Sequence, residues 1–313
     1  MLSETEVVDT LLFLRYFTAF GLACIVYDHL LTLSMEFKFI WMNPKNGWAS
    51  KAAFGINRYL TEVIITYSVY IFSGTYTSLD DLVSSVHGNF GLSAHRGTAV
   101  SPPSAILRFL MRNTSCARFL WLFGVASIIF GAVTHSIVVL RVYALWDQRT
   151  YVKRLLIVAF FICIIATLAT GIACELELQP LFKFNPFFVT CLLTSLPRLV
   201  SVAFAIQTFF DVLILVIAVY NALERPYQNR GDIINSLAND GFKFILATFF
   251  LRTLYLVSSL VGNPGQCFAI VATCWSLVSV ISSRLHLRLD GLKLRGIETD
   301  LPLPFSLRSS WYI

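Results

Sequence analysis

The sequence predicts an all-α polytopic membrane protein with seven transmembrane helices, the N terminus outside and the C terminus cytoplasmic. Composition, run length and the placement of basic residues carry that expectation. Hydrophobic residues make up 57% of the 313-residue chain and charged residues 13%, with a mean hydropathy of +0.71, whereas a soluble domain carries about 25% charged residues. Most of the chain falls into apolar runs of about 20 residues, the length that crosses roughly 30 Å of hydrocarbon. One transmembrane domain over 1–285 and a cytoplasmic tail over 286–313 follow. The net charge of +6 would suggest nucleic acid in a soluble chain. Here the basic residues lie in short loops between apolar runs, so the lipid bilayer is the expected partner and nucleic acid is not.

The seven runs cover 10–33, 52–72, 119–141, 154–173, 198–220, 242–262 and 266–285. Glu4, Glu6 and Asp9 precede the first, where a cleavable signal would carry basic residues, so this run is expected to stay as an anchor. An odd number of spans puts the termini on opposite sides. With the N terminus outside, fifteen Lys and Arg fall on the cytoplasmic side and six on the other, the remaining three being Arg15, Arg58 and Arg252 within spans. Basic residues near span ends are retained in the cytoplasm, which selects this orientation. The single N-x-Ser/Thr sequon, at Asn113, lies in the long loop 73–118 on the side counted as outside, where glycosylation is expected. Gly88, Gly91, Gly97, Pro102 and Pro103 argue that this loop is irregular. After the last run, ISSRLHLRLDGLKLRG sets Arg284, Arg288 and Arg295 on one helical face beside Leu285, Leu289 and Leu292. That pattern suits either a surface helix on the inner leaflet or a helical extension with its arginines reaching to water.

The cysteines divide by side. Cys24, Cys163 and Cys274 lie within spans, whereas Cys116, Cys174, Cys191 and Cys267 lie at or beyond outer span ends. Four cysteines on the oxidising side allow three pairings. Cys116 with Cys191 is the expected pair, with Cys174 to Cys267 as the second; buried free thiols are the alternative.

Ionisable residues inside spans are costly, so each should face the bundle interior with a partner or a purpose. From the helical rise, Asp28 lies roughly 7 Å and Arg58 roughly 9 Å above the inner ends of the first two spans. The two spans are antiparallel, so Asp28 and Arg58 are expected to pair, with His29 or His135 as a further partner. Glu62, Asp211 and Arg252 lie deeper, roughly 13–15 Å from the inner face. They are expected as one midplane group, either a structural network or a ligand, ion or proton site.

Tyr27-Asp28-His29-Leu30, then Glu36, Ile40-Trp41 and Asn57-Arg58-Tyr59, resemble an uncharacterised family of multispanning membrane proteins of basidiomycete fungi, defined by a domain of unknown function over the first two spans. The specific part covers about residues 16–70. Arg141-Val142-Tyr143-Ala144-Leu145, Ser195-Leu196-Pro197-Arg198 and Asp240-Gly241 are also similar to that family. The resemblance implies a seven-helix membrane protein of unknown activity.

A seven-helix receptor-like or sensor protein, with a cytoplasmic signalling protein as partner and an unidentified ligand, is the functional expectation. Its layout resembles a G-protein-coupled receptor, yet Leu140 precedes Arg141 where an acid would stand, and the last span has no Asn-Pro-x-x-Tyr. A solute or ion transporter or channel using the midplane charges is the alternative, and a structural scaffold the second. No enzyme, metal or cofactor is expected. The histidines at 29, 87, 95, 135 and 286 lack ligand spacing, there is no G-x-S-x-G or H-E-x-x-H, and the last span has no lysine for a retinal Schiff base. The plasma membrane or another endomembrane is the expected location.

Overall fold

Apolar runs free of interior proline fold as helices in hydrocarbon, because a helix satisfies every backbone N–H and C=O within its own segment. In the computed structural model, which describes residues 4–43, 47–73, 105–145, 150–185, 190–224 and 232–298, the chain begins with α1 (Glu4–Glu36), continued by a π-helical stretch, π1 (Phe37–Trp41). Next come α2 (Trp48–Gly55), a second π-helical stretch, π2 (Ile56–Leu60), and α3 (Thr61–Phe72). Then follow α4 (Ala105–Leu145), α5 (Thr150–Leu178), strands β1 (Phe182–Asn185) and β2 (Thr190–Leu193), α6 (Arg198–Glu224), α7 (Asp232–Val261) and α8 (Pro264–Glu298).

Among the described residues, six helices are long and apolar enough to cross a membrane: α1 with π1, and α4 to α8. A further helical path runs unbroken from Trp48 to Phe72 through π2, carrying Lys51, Arg58 and Glu62. Each path packs against the next in sequence, and α8 closes the ring against α1 along its most extensive contact. Small residues make that contact close: a Cβ at Gly21 would stand 2.7 Å from Ser276 Oγ and 3.5 Å from Thr273 Cα.

The faces are sorted as hydrocarbon requires. Phe161, Ile165, Phe209, Val216, Phe250 and Leu260 are exposed on the outside, whereas Ser276, Ser279, Ser282, Ser283, Thr134 and Thr248 are buried. In water such outer faces would be unfavourable. Next to lipid tails they lose nothing, while the hydroxyls find partners such as Ser279 Oγ donating to the Asn57 carbonyl at 2.7 Å. The chain is therefore a multi-pass integral membrane protein of all-α architecture.

Several expectations are corrected. The third helix begins at Ala105, inside the stretch read as the loop 73–118, so Asn113 lies on α4; residues 74–104 are outside those described. Of the two forms expected for the stretch after the last span, the described residues take the helical extension. Helix α8 continues to Glu298, and Leu285, Leu287 and Leu289 are all buried, Leu287 against Ile40 and Phe54. Residues 299–313 lie outside those described. The all-α expectation lacked the hairpin, in which Phe182 pairs with Leu193 and Phe184 with Cys191.

That hairpin bears on one end of the bundle. A disulfide joins Cys116 on α4 to Cys191 on β2, and Phe182 and Phe184 pack with Leu14, Ile71, Phe72 and Phe119. Cys174 and Cys267, expected as a second pair, are buried free thiols. A bridge across 75 residues of sequence restricts the unfolded chain, typically by about 2–4 kcal/mol. Replacing Cys116 or Cys191 by Ser should lower the detergent melting temperature equally, with no further loss in the double variant. Non-reducing peptide mapping should recover the 116–191 linkage, and a Cys174–Cys267 peptide would contradict this arrangement.

Candidate functional site

At the end of the bundle opposite the hairpin, α1 continues into π1 and presents Asp28, Thr32 and Glu36 one turn apart on a single face. Arg58, on π2, inserts between them. Its Nη2 donates to Thr32 Oγ1 at 2.6 Å and lies 3.8 Å from Asp28 Oδ2, and its Nε lies 3.4 Å from Glu36 Oε2. Arg284 from α8 donates to Asp28 Oδ1 at 2.5 Å. Trp41 Nε1 donates to Glu36 Oε1 at 2.8 Å, and the Tyr59 hydroxyl donates to the same oxygen. Phe54 lies under the Arg58 guanidinium, 5.7 Å from its ring centre. Two carboxylates and two guanidiniums thus cancel, with Asp28, Glu36 and Arg58 no more than 3% exposed. A π turn inserts an extra residue into the helical repeat and often marks a functional position. Here π1 and π2 carry Trp41, Arg58 and Tyr59, the residues that complete the cluster around Glu36.

The expected Asp28–Arg58 pair is present, but neither histidine joins it. His29 Nδ1 lies 2.8 Å from Glu62 Oε2 on the partly exposed side of α1 and α3, and its ring meets Tyr59 edge-on. Glu62 is therefore not in a midplane group with Asp211 and Arg252. Those two form their own pair, with Arg252 Nη1 donating to both carboxylate oxygens of Asp211 at 3.1 Å. His135 completes that pair: its Nε2 is 3.6 Å from Asp211 Oδ1, and its Nδ1 is 3.9 Å from Cys163 Sγ. Asp211, Arg252 and His135 are each 2% exposed, so the group is closed.

Between that group and the hairpin lies a partly open cavity of about 130 Å³ lined by α4, α5, α6, α8 and the hairpin strands. Phe123, Phe204, Phe268 and Trp275 form much of its wall, and Phe123 stacks on Trp275 with ring centres 4.7 Å apart. Ser127, Thr167 and Gln207 supply polar atoms. Glu175 on α5 also lines it, is 8% exposed, and has no hydrogen-bond partner at Oε2. Its carboxyl lies directly against Gly124 on α4; a Cβ there would overlap the end of the Glu175 side chain, which would have to swing aside. Cys174 and Cys267 face the same space. The cavity reaches the buried pair through intermediate residues: Thr167 is 3.9 Å from Cys163, which neighbours His135, and Phe204 packs edge-on at 5.0 Å to Tyr255, which is hydrogen-bonded to Arg252.

Sequence reasoning missed Glu36, Tyr59, Trp41 and Arg284 as members of the charged cluster, and Glu175 as part of a cavity. The 28-32-36 spacing was the available signal for Glu36, and an acid near the end of an otherwise apolar run was the signal for Glu175.

Residues 12–62 match the Family of unknown function (DUF6533). No curated protein matches the chain, and no solved structure matches it. The matched segment holds Asp28, Glu36, Trp41, Arg58 and Tyr59, so all but one of the cluster's groups come from it; Arg284 is the contribution of α8.

Removing one member of a buried ion pair strands the other, typically at a cost of about 3–5 kcal/mol. Arg58→Gln and Glu36→Gln should each lower folded yield and melting temperature, while the double variant loses much less than their sum. Purely additive losses would show that the two groups do not interact.

Proposed function

We propose that the protein is a seven-span membrane receptor or sensor for a small molecule, with the hairpin end outside and the C terminus cytoplasmic. The cavity roofed by a disulfide-tethered hairpin carries this reading. Binding pockets between helices are typically apolar and aromatic with a few convergent polar groups, and the set Phe123, Phe204, Trp275, Gln207 and Glu175 is of that kind. The path from Trp48 to Phe72 makes the seventh span, with Arg58 countered by Asp28 and Glu36, Glu62 facing His29, and Lys51 near its end donating to the Trp41 carbonyl. Orientation is supported by the excess of basic residues on the other side and by the Cys116–Cys191 bridge, which belongs in an oxidising compartment.

Signalling needs an element with two arrangements that ligand and partner bias differently. The Asp211–Arg252 pair, touching the cavity through Thr167–Cys163–His135 and through Phe204–Tyr255, is positioned for that role. At the opposite end a groove of about 550 Å³ is flanked by Arg284 and Arg288. Their side chains are 53% and 71% exposed, which suits a cytoplasmic protein partner. The transport alternative required Glu62, Asp211 and Arg252 on one route, and Glu62 stands apart with His29.

A thermal-shift and tryptophan-fluorescence screen of the purified full chain against small aromatic fragments tests the reading. Compounds that stabilise the wild type should lose their effect when Ala203→Leu fills the cavity. Hits equally effective on that variant would overturn the cavity as the binding site.

A further inference from the structure

Glu175 raises a question that packing alone does not answer. A carboxyl group removed from water is costly unless something compensates it, yet its Oε2 lacks a hydrogen-bond partner and no Lys, Arg or His is among the described residues lining the cavity. Elsewhere in the bundle the buried acids are answered: Asp28 by Arg58 and Arg284, Glu36 by Arg58, Asp211 by Arg252, and Asp290 by the charge of Arg141. Glycine at 124 lets the carboxyl lie where it does; a Cβ there would overlap it and push it aside. The chain thus makes space for an acid and leaves it facing a void.

The rest of the wall defines what would fit there. Phe123, Phe204, Phe268 and Trp275 present aromatic surface, and aromatic faces attract cations, most strongly when desolvated. A cavity of roughly 150 Å³ admits benzene, so the volume of about 130 Å³ here sets a size limit of a single ring or a short branched chain.

We infer that the cavity binds a small primary or secondary amine carrying an aromatic or branched alkyl group, with its ammonium on the Glu175 carboxylate and its apolar part against Phe123, Phe204 and Trp275. This rests on the cavity being the ligand site and adds the ligand's charge and class. The ammonium supplies the donor that Oε2 lacks, and the carboxylate supplies the counter-charge the amine needs on leaving water. Ser127 and Gln207 are the polar groups on the wall available to the remaining N–H bonds.

The test measures binding of benzylamine and of its neutral isostere benzyl alcohol to the full chain in lipid nanodiscs, by tryptophan fluorescence and thermal shift. Wild type should bind benzylamine more tightly. Glu175→Gln should weaken benzylamine by about tenfold or more while leaving benzyl alcohol nearly unchanged. Glu175→Asp, which keeps the charge, should retain part of the preference and serves as the readout if the glutamine variant folds poorly. Benzyl alcohol binding as well as benzylamine, or benzylamine indifferent to both substitutions, would overturn the amine while leaving the cavity as a site. Binding of neither compound, together with no aromatic fragment sensitive to Ala203→Leu, would remove the site itself.

Discussion

Arg58 is 2% exposed in a helix surrounded on its outer side by apolar surface, and it lies between Asp28 and Glu36 with Arg284 closing the far side of Asp28. Lipid offers no counter-charge, so neutralisation has to come from other helices. That requirement brings α1, π1, π2 and α8 together at one end. The same requirement, met by Asp211 and Arg252, joins α6 to α7, with His135 of α4 alongside. Hydrophobic burial cannot choose between helix arrangements in a solvent as apolar as the core. Charge pairs, hydroxyl hydrogen bonds and close small-residue contacts such as Gly21 on Ser276 do the choosing.

The two ends are built on different chemistry. The end that joins α1, π2 and α8 is an ionic cluster in which each carboxylate faces a guanidinium, whereas the hairpin end is aromatic, bridged by a disulfide and carries a cavity. A closed cluster favours a fixed structure. A hollow with an unanswered acid favours an exchangeable occupant. The Asp211–Arg252 pair lies between them, in contact with the cavity wall through side chains of α4, α5 and α7.

Six of the seven expected runs were legible as helices long and apolar enough to cross a membrane, because the length of apolar runs is a direct consequence of bilayer thickness. The Asp28–Arg58 pair was legible for a similar reason, since adjacent antiparallel helices place residues of equal depth together. Depth says nothing about direction around the helix axis, and this is where the expectations for Glu62 and His135 went astray. Glu62, a few residues after π2, turns to His29, while His135 turns to Asp211. Glu36 was hidden because the first apolar run, read from the sequence, ends at residue 33, whereas the helix persists through π1 to Trp41. The cavity was hidden because it is made by residues from six separate elements, none of which announces a pocket in its own segment.

The claim that counter-charges position the helices is tested most directly by exchanging one pair. Asp211→Arg and Arg252→Asp would be made singly and together, and the folded fraction of the purified protein measured by size-exclusion chromatography and thermal unfolding in detergent. The account predicts that each single reversal abolishes the folded peak and that the exchanged pair restores a substantial part of it. A double variant as defective as the singles, or singles that fold normally, would contradict it.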